Sequence, residues 1–362
     1  MEPSRSWSPT RKVKRMDLFS RINPVNWRVG QAAATHTYRK RRKLPKAVAA
    51  TSALVLAFSV AACDSSSSSS DSTSSGTAKV TLSVSPVAET TITDIGIDQG
   101  YFKGEGLHAA TKVQGASAQT VPLLVNGQIN VMTGNLATFI AALSSDLPLQ
   151  MLPIGTLNSA DPKQQTSALV TAPGSAIDSL EQLNGKTIGI ISPGSTLDME
   201  TRAMLMDGGA NPKTVRFTAL PLASLWTSVQ SHQVDAAVVQ APYLSKALEA
   251  GAKVLGYPDS ALPGVASTVL LINRDFAKDH PEVVDKIVAG YKKSVAYANA
   301  NPDAVREATA KQNGAKANPS QQVPIFTSTL TDVQPLNVMA NLLVKYGFIK
   351  SAPDLTDAIY HS

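Results

Sequence analysis

From residue 79 to residue 274 short apolar runs alternate with helical ones, and this alternation constrains the fold more than any other feature. KVTLSVSP (79–86) has the two-residue alternation of a strand and stops at a proline. INVMTG (129–134), KTIGIIS (186–192), VDAAVVQ (234–240) and STVLLINR (267–274) are short, rich in β-branched residues and bounded by turns, so they read as strands. Between them NLATFIAALSS (135–145) and STLDMETRAMLMDGG (195–209) read as helices, with Asn135 and Ser195 as N-caps. Strands that alternate with helices predict α/β units on parallel sheet. From Asp275 the pattern turns almost wholly helical. Two lobes, with a chain that crosses between them twice, account for both parts. The crossings are expected near 167–173 and 264–272. The first lobe is then 78–170 with 268–362, and the second is 171–267. No internal repeat is visible.

The residues ahead of this body carry another signal. Cys63 is the only cysteine of the chain, so it makes no internal disulfide. A dense basic run, YRKRRKLPK (38–46), precedes AVAATSALVLAFSVAA (47–62), which is apolar and uncharged. A membrane-spanning helix needs about 20 apolar residues. This run is shorter and has the proportions of an export-signal core with small residues at its end. VAAC resembles a bacterial lipobox, in which the cysteine becomes the lipid-bearing first residue. Residues 38–62 therefore read as a lipoprotein signal peptide, Cys63 as the lipidation site and 63–77 as a serine-rich tether. RRKLPK (41–46) fits both the twin-arginine and the ordinary secretory route. Residues 1–37 are basic and aperiodic, consistent with a true start at Met16 or later, and are set apart from the fold.

Charge follows the same division. The whole chain has a formal charge of +6, yet the first 62 residues hold 13 Lys and Arg against two acids, leaving 20 basic and 25 acidic residues beyond. The exported body is acidic, so the basic balance gives no support to nucleic-acid binding.

Four phrases, in order, resemble one family. DIGIDQGYFKGEGLHA (94–109) has the helix ending in GYF followed by EGL. LVNGQINVMTGN (124–135) has the apolar–Gly–acid phrase, with Asn130 where Asp is usual. LEQLNGKTIGIISPGS (180–195) and SVQSHQVDAAVVQAPY (228–243) follow, with His232 in place of a usual Gly. Together they resemble the nitrate/sulfonate/taurine-type substrate-binding proteins of ABC importers, within the thiamine-pyrimidine-synthase-like superfamily. The resemblance implies the type II periplasmic-binding-protein fold, with two lobes, two crossing segments and a helical C-terminal third. It also implies a small-molecule ligand, an ABC permease and ATPase as partners, a monomer and no cofactor.

In open α/β sheets ligands bind outside the carboxyl ends of strands. Four such ends are candidates: Ser85 and Pro86; Thr133, Gly134 and Asn135; Gly194, Ser195 and Thr196; Gln240 and Tyr243. The Pro-Gly turn before Ser195 is the sharpest. A helix start leaves backbone N–H groups unpaired and presents the positive end of its dipole, which suits an anionic ligand group. The competing reading is that Ser195 and Asn135 only cap their own helices. Tyr243 could equally pack, and Trp226 reads as core. The four histidines beyond the signal, His108, His232, His280 and His361, lack metal-ligand spacing. No GxGxxG, Walker or G-x-S-x-G pattern occurs.

These observations point to an exported, lipid-anchored solute-binding protein for a small polar or anionic ligand of sulfonate, nitrate, taurine or pyrimidine-like kind. Two alternatives share the body. A pyrimidine-synthase-like enzyme needs a cysteine-rich motif that the chain after Cys63 lacks. A ligand-sensing lipoprotein differs only in its partners.

Overall fold

The computed structural model describes residues 77–115 and 117–361. The segment expected to be a signal peptide, Cys63 and almost all of the expected tether lie outside the described residues. The chain opens with β1 (Ala78–Val84), α1 (Thr91–Asp98), α2 (Tyr101–Gly104), β2 (Leu107–Val113), α3 (Ser117–Val125), β3 (Val131–Asn135), α4 (Leu136–Leu143) and β4 (Leu149–Leu157). It continues through β5 (Ser167–Thr171), β6 (Thr187–Ile190), α5 (Thr196–Asp207), β7 (Arg216–Ala219), α6 (Leu225–Gln230), β8 (Ala236–Gln240), α7 (Tyr243–Glu249) and β9 (Lys253–Gly256). After β10 (Ala266–Asn273) come α8 (Arg274–Asp279), α9 (Pro281–Ala300), α10 (Pro302–Gln312), β11 (Ile325–Thr327) and α11 (Gln334–Lys345).

Two sheets result, ordered β11-β4-β10-β3-β1-β2 and β7-β6-β8-β5-β9. Apart from β11 they share one plan. In each, β1 or β6 pairs in parallel with two neighbours, and an antiparallel strand holds the fourth place. That fourth strand is the one arriving from the other lobe, β10 in the first sheet and β5 in the second. The chain thus contains an architectural repeat that its residues do not display, because the repeat lies in strand order.

Register explains why this matters. β10 enters with Thr268 opposite Asn135, the last residue of β3, and β5 enters with Ser167 opposite Gln240, the last residue of β8. Both arriving strands start at the carboxyl ends of parallel strands. The two connections, 158–166 and 257–265, therefore run along the edge where ligands bind in such sheets.

The structure differs from the sequence expectation in three places. β5 lies inside the second sheet and Thr171 is fully buried, so the outgoing connection falls at 158–166, ahead of 167–173. The helical C-terminal third contains one strand, β11, paired antiparallel with the edge of β4. Only three residues long, it leaves too short a period to register. β2 also lacks a strand signature, because as an edge strand it buries little beyond Leu107.

Each sheet is covered on both faces. In the first lobe Leu82, Phe102 and Tyr291 lie on one side and Leu136, Phe139 and Met339 on the other. In the second lobe Ile188 and Leu205 oppose Trp226 and Val239, so Trp226 is core as expected. Full burial of each such side chain stabilises the fold by roughly 1.5–3 kcal/mol. Helix α5 belongs to both lobes. Its Met204 and Leu205 pack in the second, while Met199 and Ala203 join the apolar cluster of the first.

Candidate functional site

Helices α4 and α5 start at the ends of β3 and β6, and the structure brings these starts together. Asn135 caps α4, its Oδ1 accepting from Thr138 N at 2.9 Å. The same oxygen accepts from Thr196 N at 3.3 Å. In return, Thr196 Oγ1 accepts from Ala137 N at 2.9 Å. Each lobe therefore satisfies an orphan first-turn donor of the other, a need that both helix starts carry by construction. Ser195 caps α5 by accepting from Asp198 N at 3.3 Å.

The Pro193–Thr196 turn is occupied by the protein itself. Gly194 N donates to Asp198 Oδ2 at 2.8 Å. Gly194 has φ +75°, and a Cβ there would stand 2.8 Å from Phe348 Cδ1, so glycine is required twice over. Burial raises the Asp198 carboxyl above its usual range, and the Arg202 guanidinium, 2.8 Å away, works against that rise. In the arrangement seen, the anion-binding donors expected at this turn already have partners, Gly194 N and Asp198 N within the turn itself and Thr196 N across the lobes. Thr196→Val keeps the shape of the residue but removes the oxygen that Ala137 N needs. It is expected to cost about 1–3 kcal/mol in urea unfolding, the scale of a buried donor left unmade. A loss below a few tenths would mean that this contact is not kept in solution.

The other candidates are dispersed. Ser85 Oγ lies 3.3 Å from Gln114 O, and Asn313 Nδ2 donates to Pro86 O at 3.1 Å, tying that turn to its own lobe. Thr133 is buried inside β3, with its N and Oγ1 bonded to Ser83, and a Cβ on Gly134 would stand 3.1 Å from Leu271 Cδ1. Gln240 and Tyr243 are half-buried at the end of β8 and the start of α7.

A different group occupies the centre of the junction. Glu89 sits in the turn between β1 and α1, 6% exposed, with Oε1 accepting from Thr166 Oγ1 at 3.1 Å. Glu200, fully buried one turn beyond Thr196 on α5, accepts from Asn158 Nδ2 at 2.7 Å. Asp259, on the return connection, accepts from Ser167 Oγ at 2.6 Å. Burial pushes the Glu89 carboxyl up to about 7, with the charge of Asp259 adding to the rise. Burial and the same neighbour raise Glu200, and burial raises Asp259. Sequence reading passed over these acids. One signal was present: Glu200 falls in the same helical stripe as Thr196, Met199 and Ala203, where a solvated acid has no place. Glu89 carries no such mark.

Among the described residues no group of three or more His, Cys, Asp or Glu could hold a metal ion, and no helix is long and apolar enough to cross a membrane.

Two α/β lobes joined by paired connections at their strand ends define the periplasmic-binding-protein class of fold. The chain belongs to the NMT1/THI5-like family, whose sequence model matches residues 89–305. A Brucella abortus binding protein is 23% identical over 288 residues, covering 74% of this chain and 85% of that protein. The Escherichia coli taurine-binding periplasmic protein is 29% identical over 189 residues, 52% of this chain and 56% of its own length. In structure the chain resembles the periplasmic aliphatic sulphonate-binding protein SsuA of Escherichia coli, with TM-score 0.65 and 18% identity over 78% of this chain and 92% of that one. The Xanthomonas axonopodis alkanesulfonate-binding SsuA, bound to MOPS, gives TM-score 0.64 and 14% identity over 79% and 99%.

Proposed function

We propose that this protein is an extracytoplasmic solute-binding protein that closes two lobes on a small polar organic molecule and delivers it to an ABC permease and ATPase. The observation that carries this reading is the placement of both inter-lobe connections at the carboxyl ends of the parallel strands. A ligand held there touches both lobes and the segments about which they turn, so binding and closure are coupled. Family membership and relatives that bind taurine or sulfonates agree with it. The lobes are taken as 78–157 with 266–362, and 167–256, with the two connections between them. The contact residues are drawn from Ser85, Pro86, Thr133, Gly134, Asn135, Gly194, Ser195, Thr196, Gln240 and Tyr243.

The test is a thermal-shift panel of sulfonates, taurine, nitrate, pyrimidines and organic amines. A ligand at 100 times its dissociation constant adds about 2.7 kcal/mol of stability. No shift from any class would end the solute-binding reading.

Lipid attachment at Cys63 would hold the body at the outer face of the cell membrane through the serine-rich tract that follows. Cys63→Ala is expected to abolish membrane partitioning of the mature protein, seen by fractionation and by loss of labelled fatty acid. Undiminished membrane association of a processed alanine variant would exclude the anchor.

A further inference from the structure

A cavity of about 170 Å³ lies beside the outgoing connection, and three parts of the chain line it. The connection supplies Gln165 and Thr166, α7 supplies Leu244 and Ser245, and the first lobe supplies Ser320 and Gln322. Glu249 of α7 also lines it, and its Oε1 accepts from Asn318 Nδ2 of the first lobe at 2.8 Å. Both lobes and a connection between them thus meet around one opening, the usual setting of a small-molecule site.

The lining has a definite chemistry. Gln165 is 2% exposed, and its Nε2 donates to Ser159 O at 2.6 Å and to Asp161 O at 2.9 Å. Those two bonds fix which end of the amide is nitrogen. The other end, Oε1, is buried without a partner, an acceptor left unused at a cost that folding does not normally leave standing. Thr166 Oγ1 gives its hydrogen to Glu89 Oε1, so toward any other group it is an acceptor too. The side chains of Ser245 and Gln322 make no hydrogen bond with other described residues, and both can donate. Ala241, Leu244 and Leu248 add an apolar wall, of which Leu248 is 44% exposed.

Charge narrows the occupant further. No Lys, Arg or His lines the cavity. A sulfonate or nitrate brings only acceptors, which Gln165 Oε1 cannot serve, and a negative charge that meets only Glu249. An ammonium finds a counter-charge only at that same exposed and already bonded Glu249. An uncharged group with an N–H on one side and a carbonyl on the other matches an unused acceptor and unused donors without either penalty.

We propose that this cavity takes an uncharged amide-type group of the ligand, a carboxamide, urea or lactam, whose N–H donates to Gln165 Oε1 and whose carbonyl accepts from Ser245 or Gln322. The carbon body lies against Leu244 and Leu248. This rests on the solute-binding reading and narrows its ligand class. Because Ser245 and Gln322 belong to different lobes, a molecule that touches both favours the arrangement in which they stand together.

The experiment uses probes of nearly one shape on the purified protein, followed by saturation-transfer NMR and titration. Propionamide is compared with propionate, propylamine and 2-butanone, which carry a negative charge, a positive charge and no N–H. Ethylurea and 2-pyrrolidinone extend the amide class. The three amides are expected to bind, and the three controls to bind at least about tenfold more weakly. Gln165→Leu removes the acceptor and should weaken propionamide about five- to tenfold, the scale of one hydrogen bond. Ser245→Leu fills the cavity from α7 and should abolish the amide signal. If Gln165→Leu fails to fold, Ser245→Leu decides, since that hydroxyl is half-buried and bonds nothing else. Propionate or propylamine binding more tightly than propionamide overturns the uncharged class. Amide binding that the folded variants retain unchanged places the site elsewhere and overturns the proposal as well. If a compound of the wider panel binds and no amide does, the amide proposal falls and the solute-binding reading stands. If nothing binds from either set, both fall.

Discussion

At pH 8 and without ligand, the Glu89→Gln protein is expected to be more stable than the wild type by about 3 kcal/mol, and the gain should vanish near pH 4.5. The cause is the position of the carboxyl. It lies under the turn after β1, 6% exposed, with one oxygen bonded to Thr166 and the other to nothing. Burial lifts its folded-state value to about 7 from 4.5. The folded protein therefore keeps this proton over a range in which the unfolded chain has lost it. Where the native state binds more protons, stability falls as pH rises. The fall begins near 4.5, runs at about 1.4 kcal/mol per pH unit for this group and levels off above 7. Glutamine carries no charge to bury, keeps an oxygen for Thr166 and presents an N–H₂ toward Asp259. Urea unfolding from pH 4.5 to 8.5 measures the effect. Glu200 and Asp259 are raised in the same direction, so the variant should retain part of the wild-type slope. A Glu89→Gln protein no more stable than wild type at any pH would show that this carboxyl is solvated in the free protein.

The second large effect belongs to a residue that carried the family resemblance. Phe102→Ala is expected to lower stability by about 3–5 kcal/mol, the range for an aromatic side chain removed from a packed core. Phe102 is 1% exposed and meets the Tyr291 ring edge-on with centroids 5.0 Å apart. Two glycines make room for it. A Cβ on Gly96 would stand 2.6 Å from Phe102 Cε2, and one on Gly290 would stand 2.5 Å from Cδ1. The ring thus fills a slot between α1 and α9, elements separated by most of the chain. The left-handed Gly100, φ +73°, ends α1 so that α2 can aim Phe102 into that slot. The GYF phrase is therefore a docking device for the C-terminal helices, and its loss should free α9 from the first lobe. Unfolding midpoint and denaturant slope together test this. A loss under 1 kcal/mol with an unchanged slope would mean that the slot can collapse around the gap.

Much of this protein is determined locally, and its sequence reveals that part. Strand and helix positions follow from hydrophobic period, which is set by backbone geometry within a few residues. Asn135 and Ser195 prove to be caps because a helix start needs an acceptor at that place whatever surrounds it. The likeness to a two-lobed binding protein follows from four short phrases in order, since each specifies a turn or a helix end. What the tertiary structure alone decided is which ends meet. Asn135 and Thr196 are 61 positions apart and bond across the lobes. Glu89 and Thr166 are 77 apart, and Asn158 and Glu200 are 42 apart. The strand exchange that makes the sheets alike, with β10 in one and β5 in the other, appears only in hydrogen-bond order. Burial of an acid is likewise a property of what packs upon it from distant chain. A helix with apolar residues on two sides reads as irregular until both lobes are seen to claim it. The carboxyls at the junction were visible as letters, and only the packing of distant segments upon them left them buried without a counter-charge.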